Sequence, residues 1–134
     1  MKRFDDLISR VRPWAGLAGL AAVLSMSGCS SYDSLDIDLL SSPPATVDID
    51  PTRIEIPAGV SVLVYAFPVS ANNTDYNERK VKLRLRSDDP FVFDVRETGE
   101  ADEFILIGVM PGQTCMEVSV MGEVEECIPV RIRE

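Results

Sequence analysis

From residue 45 onward, apolar and polar side chains alternate with a period of two, broken at intervals by Pro, Gly, Asn and Asp. Successive side chains of a strand point to opposite faces, so this pattern predicts strands with one buried and one open face. Residues 79–87 show it best. Val81, Leu83 and Leu85 fall on one face, and Arg79, Lys80, Lys82, Arg84 and Arg86 lie mainly on the other. Similar runs cover 46–50, 53–56, 60–69, 91–95, 103–109, 114–120 and 125–133, with turn residues such as Pro57-Ala58-Gly59 and Asp88-Asp89-Pro90 between them. No run repeats with helical spacing. Short strands at roughly 8–12-residue intervals predict an all-β fold, an antiparallel β-sandwich of about seven strands over residues 45–134.

The run 60–69 is apolar on both faces. Leu63, Tyr65 and Phe67 share one face, and Val62, Val64 and Ala66 share the other. One set belongs to the core. The other is either a partner surface or covered by a tether or loop.

Ahead of the sandwich the pattern changes. Residues 1–12 carry Lys2, Arg3, Arg10 and Arg12 against Asp5 and Asp6, and residues 14–25 (WAGLAGLAAVLS) are uncharged and mostly apolar. A bilayer core of about 30 Å needs roughly 20 apolar residues, so this run is too short for a mature spanning helix. A basic stretch, a short apolar stretch and then small residues predict a secretory signal peptide over 1–28. Leu24, Met26, Ser27 and Gly28 lead into Cys29, and Leu24-Ser25-Met26-Ser27-Gly28-Cys29 resembles the bacterial lipobox. That resemblance implies a lipid on Cys29, with palmitate among its acyl chains, and a protein held to the membrane at its N-terminus. Ser30 follows the Cys, which favours the outer membrane in a diderm host. Residues 29–44 (CSSYDSLDIDLLSSPP) are Ser-rich and acidic and end in Pro-Pro, which predicts a flexible tether. Leu35, Ile37, Leu39 and Leu40 are its apolar exception and suit a loosely packed segment, a short edge strand or a docking peptide.

Charge and cysteine count sharpen this picture. The 134-residue chain has 13 Lys+Arg, 22 Asp+Glu and no His, a formal net charge of −9. Removing 1–28 takes four basic and two acidic residues, which leaves −11 on the mature chain. Such a balance excludes nucleic acid as the main partner, because phosphate binding needs a basic face. Without His, Ser-His-Asp and Cys-His catalysis cannot be built within the chain. Besides Cys29 there are two cysteines, Cys115 and Cys127. A three-residue hairpin loop at Val120-Met121-Gly122 would put them directly opposite on the outer face, with Met116, Val118, Val120, Ile128, Val130 and Ile132 turned inward. This predicts a disulfide, as an oxidising compartment allows.

In order along the chain, Ile54-Glu55-Ile56-Pro57-Ala58-Gly59, the strand 60–69, Ser87-Asp88-Asp89-Pro90-Phe91-Val92-Phe93, Gly108-Val109-Met110-Pro111-Gly112 and Ile128-Pro129-Val130-Arg131-Ile132 form a pattern. It resembles the bacterial immunoglobulin-like domains of group two over about residues 45–133. Leu83 and Leu85 stand where that family often has an aromatic on its third strand. The resemblance implies an immunoglobulin-like sandwich and a structural or adhesive module outside the cell, with no shared catalytic residues and no cofactor.

The sequence thus points to a non-enzymatic, lipid-anchored cell-envelope protein, structural, adhesive or an accessory binding module, whose partner is an envelope protein or a glycan. A periplasmic-facing glycan-binding module or a subunit of a larger envelope assembly is the alternative. Candidate partner surfaces are the basic ladder Lys80, Lys82, Arg84 and Arg86 and the row Leu63, Tyr65 and Phe67. The ladder also suits a plain solvent face, paired across strands with Glu117 and Glu125. The acidic pairs Asp36/Asp38, Asp48/Asp50, Asp88/Asp89 and Asp102/Glu103 lack a twelve-residue calcium loop with its Gly and Glu, so they read as solvated turns and no metal is assigned.

Overall fold

The computed structural model describes residues 31–71 and 81–134, which fold as two packed β-sheets. The lipobox, Cys29, Arg79 and Lys80 lie outside the described residues. Nine strands are found among those described: β1 (Tyr32–Leu39), β2 (Asp48–Asp50), β3 (Arg53–Pro57), β4 (Ser61–Ser70), β5 (Leu83–Ser87), β6 (Phe93–Glu97), β7 (Glu103–Gly108), β8 (Gly112–Val120) and β9 (Glu123–Arg133). One sheet has the order β1-β4-β7-β6 and the other β2-β3-β9-β8-β5. Neighbours run antiparallel except β3 and β9, which are parallel. The expected sandwich is present. It has more strands than the seven or so expected, and β1 is the main addition.

The core forms where the inward rows of the two sheets meet. Leu35, Ile37, Val62, Val64, Ala66, Phe93, Phe104 and Leu106 come from the first sheet. Ile54, Ile56, Leu83, Leu85, Met116, Val118, Val120, Ile128, Val130 and Ile132 come from the second. β4 alternates strictly, with Val62, Val64 and Ala66 inside and Leu63, Tyr65 and Phe67 half-buried on the outer face. The choice left open by the sequence is thereby made.

The segment expected as a flexible tether is instead an edge strand. β1 pairs with β4 from Tyr32↔Ser70 to Leu39↔Val64. Backbone bonds extend the pairing past both ends, from Ala71 N to Ser31 O (2.9 Å) and from Leu40 N to Leu63 O (2.9 Å). The Ser41 hydroxyl also accepts the Leu63 N–H at 2.9 Å. Leu35 is fully buried and Ile37 nearly so. Burying two such side chains contributes about 1.5–3 kcal/mol each, which outweighs the freedom that a Ser- and Asp-rich stretch gives up. At the same end the Tyr32 hydroxyl donates to Glu126 Oε1 at 2.5 Å and links the first sheet to β9 of the second.

Two glycines of the family-like pattern mark close approaches. A Cβ on Gly108 would stand 2.5 Å from the Pro57 carbonyl oxygen, and one on Gly112 would press on Val92. β7 can pass the end of β3 only because residue 108 has no side chain.

The disulfide Cys115–Cys127 is present, with a Cα–Cα separation of 5.4 Å. Its register differs from the expected one. The β8–β9 turn has two residues, Met121 and Gly122, both with positive φ (53° and 86°), as primed hairpin turns require. Val120 therefore faces Glu123, not Ser119. A bulge between Val118 and Ser119 then adds Glu125 to β9. Beyond it Cys115 faces Pro129 and Cys127 faces Glu117, so the cysteines bridge diagonally. The shorter turn and the bulge each move the register by one residue in the same direction. The total shift of two preserves the faces, and Met116, Val118, Val120, Ile128, Val130 and Ile132 are buried as expected.

Two outcomes follow. Leu35→Ala should lower the unfolding free energy by about 2–5 kcal/mol in urea titration, as for other buried leucines; a change below about 0.5 kcal/mol would mean a free tether. Cys115→Ser/Cys127→Ser should cost about 2–3 kcal/mol in the same assay, and the purified mature domain should show no free thiol.

Candidate functional site

Exposed Lys82 leads into β5, which alternates buried Leu83 and Leu85 with exposed Arg84 and Arg86, so the strand that closes one side of the core raises cations on its other face. β5 is the edge of its sheet, and β8 is its neighbour, as expected from the sequence. Opposite Arg86 sits Glu117, whose Oε1 lies 3.7 Å from the guanidinium; opposite Arg84 sits Ser119. The expected pairing with Glu117 is thus made at the Arg86 rung. Glu125, the other expected partner, is the extra residue of the bulge. Among the described residues Lys82 and Arg84 form no ion pair. Together with Glu117, Ser119, Gly122 and Val124, the row lines a shallow groove of about 290 Å³.

Two other cations of this sheet, Arg53 and Arg133, are engaged differently. Arg53 pairs with Asp48, and Arg133 reaches Glu55 at 3.5 Å and bonds the Thr46 carbonyl. Asp50 organises the β2–β3 turn. Its Oδ1 accepts the Thr52 hydroxyl (2.6 Å), the Thr52 N–H (2.7 Å) and the Arg53 N–H (2.9 Å). These bonds, the Thr52 hydroxyl first among them, hold the Asp50 carboxyl below its ordinary range. The pair Asp48/Asp50 is thus occupied by its own loop. Asp89 likewise accepts the Phe91 N–H at 3.1 Å. Among the described residues no three acidic or cysteine side chains are grouped to hold a metal ion.

On the outer face of the first sheet, Leu63, Tyr65 and Phe67 form a half-buried row, with the Tyr65 and Phe67 ring centroids 5.7 Å apart and tilted by 52°. Asp38 and Glu103 flank Tyr65, Asp36 flanks Phe67 and Ile105 flanks Leu63. The 31–41 segment lies beside this row as part of the sheet and does not cover it. The row and the basic ladder therefore stand on opposite faces of the sandwich.

A third surface went unnoticed in the sequence. Phe91 is 78% exposed, and Val109 and Met110 are about half exposed. Their two loops are tied together by bonds from Val109 N (2.9 Å) and Met110 N (3.2 Å) to the Val92 carbonyl. Apolar residues beside the turn prolines, in Asp89-Pro90-Phe91 and Val109-Met110-Pro111, were the available signal.

No protein-family model and no curated protein matches the chain. Among solved structures it is similar to domains 4 and 5 of the S-layer protein SbsC, at 14% identity and a TM-score of 0.50 over 74% of this chain. It is also similar to domains 1–6 of the surface layer protein SbsC, at 16% identity and a TM-score of 0.49 over 73% of this chain. The chain spans 54% of the first structure and 13% of the second. The first likeness supports the fold.

Because the Asp50 carboxyl is held low, the stabilisation it provides is complete above the ordinary carboxylate range and fades as pH falls through its lowered value. In an NMR titration Asp50 should protonate below the ordinary range of an aspartate carboxyl. Thr52→Val should move its midpoint up, and an unmoved midpoint would show that the hydroxyl is not responsible.

Proposed function

We propose that this chain is a non-enzymatic, lipid-anchored module of the cell envelope, held by Cys29 and presenting a structural, adhesive or accessory-binding surface to an envelope partner. In a diderm host Ser30 directs it to the outer membrane. The observation that carries the reading is the placement of exposed Phe91, Val109 and Met110 at the end of the sandwich opposite the start of β1. β1 begins three residues after Cys29, a reach of only about 10 Å. The Tyr32 end therefore stands at the membrane. β4 runs from that end to the other over its ten residues, about 30 Å. The apolar loops are carried to the far side, where a partner can cover them.

Other observations suit this reading. Several acyl chains hold firmly at about 0.8 kcal/mol per buried CH₂, and a net negative mature chain is repelled by anionic headgroups, which keeps the body upright. A surface-layer protein uses domains of similar fold. A subunit of a larger envelope assembly is the form of this function that the exposed loops favour.

Two measurements test it. Cys29→Ala should abolish palmitate labelling and release the protein from the membrane fraction; unchanged fractionation would overturn the anchor. Phe91→Ser/Met110→Ser should convert a larger species on blue-native gels, after mild detergent extraction, into a lone small one. A lone small species in the parent would overturn the assembly.

A further inference from the structure

We infer that the groove along β5 is a binding site for an acidic polysaccharide, a linear chain that carries a carboxylate or phosphate on its repeating unit. This goes beyond the envelope function proposed above and does not depend on the lipid.

Charge is the first argument. The chain is acidic as a whole, yet Lys82 just before β5 and Arg84 and Arg86 within it are all exposed. Among the described residues the first two have no acidic partner. Arg86 is held by Glu117, whose side chain is 24% exposed against 70% for Arg86, so the carboxylate acts from below and the guanidinium stays open. One acid against three cations leaves the groove positive. Neighbouring like charges repel one another, and an incoming polyanion relieves that repulsion while releasing its own counterions.

Shape is the second argument. Alternate residues of a strand rise by about 6.8 Å, which separates Arg84 from Arg86, and Lys82, whose carbonyl accepts the Met121 N–H at 3.0 Å, continues the row just before β5. Among the described residues β5 is a sheet edge, and no described strand lies beside the row on that side, which suits a chain longer than the site. Gly122 and Val124 of the β8–β9 hairpin line the groove with the row, and Ser119 contributes a hydroxyl. A narrow polymer with apolar C–H faces and hydroxyls matches a slot with an aliphatic contact, a hydroxyl and a line of cations. A flat bilayer does not enter it.

The test uses the full chain in non-ionic detergent, titrated by calorimetry with polygalacturonate, neutral dextran and polyglutamate. At 50 mM NaCl it should bind polygalacturonate and not dextran, and affinity should fall at least tenfold at 300 mM NaCl. Lys82→Glu/Arg84→Glu, at exposed positions, should weaken binding at least tenfold. Glu117→Gln, which removes the acid of the groove, should strengthen it about two- to threefold, a change of sign that general loss of folding cannot produce. Absence of polygalacturonate binding, a double variant within twofold of the parent, weaker binding by Glu117→Gln, or polyglutamate bound at least as tightly would each overturn the inference. The last outcome would assign the ladder to an acidic protein.

Discussion

The alternation of side chains across a strand is the constraint on which everything else in this molecule depends. A one-residue slip sends every core residue of a strand to the solvent side, so an irregularity is tolerated only when a second one restores the faces. The β8–β9 hairpin shows this rule at work. Its two-residue turn and the bulge at Glu125 each displace the register by one, and together they return Met116, Val118 and Val120 to face the same interior as Ile128, Val130 and Ile132. The disulfide follows from the same count. Cys115 and Cys127 remain on the outer face and are joined along a diagonal, at the edge of a core they do not enter.

Once the inward rows are committed to packing, the outward rows are free to differ. The two open faces have taken contrasting characters. One has an aromatic and aliphatic row flanked by Asp36, Asp38 and Glu103; the other has a cationic row with a single acid at its rung. The loops at the far end add Phe91, Val109 and Met110. A small sandwich with a filled interior offers chemistry only through such surfaces. Its proposed function is accordingly one of contact.

Much of this was legible in the sequence. The alternation at 79–87 placed Leu83 and Leu85 inside and the basic residues outside, and the pairing of that strand with the Glu117 strand followed from sandwich topology. Gly108 and Gly112 stood out before their reason was known, which is the approach of Pro57 and Val92 to their backbones. Other features were hidden. Residues 32–39 are polar at every second position, the pattern of a half-buried strand, but their Ser and Asp content resembled a solvated tether. What decided the matter was an unpaired edge on β4 with room inside for Leu35 and Ile37. Phe91 was hidden for a related reason. Apolar residues in a strand-like context are assigned to the core by default, and its turn from Val92 outward depends on the bonds of Asp89.

By itself the sequence determined the class of fold, the inward and outward members of most strands and the identity of the disulfide partners. These are local properties, set by period, composition and spacing. The tertiary structure alone decided which face of β4 is core, that the segment after Cys29 belongs to a sheet, how far the β8–β9 register shifts, and which exposed residues share a surface. Each of these depends on what lies across the gap between strands distant in the chain, and no local pattern carries that information.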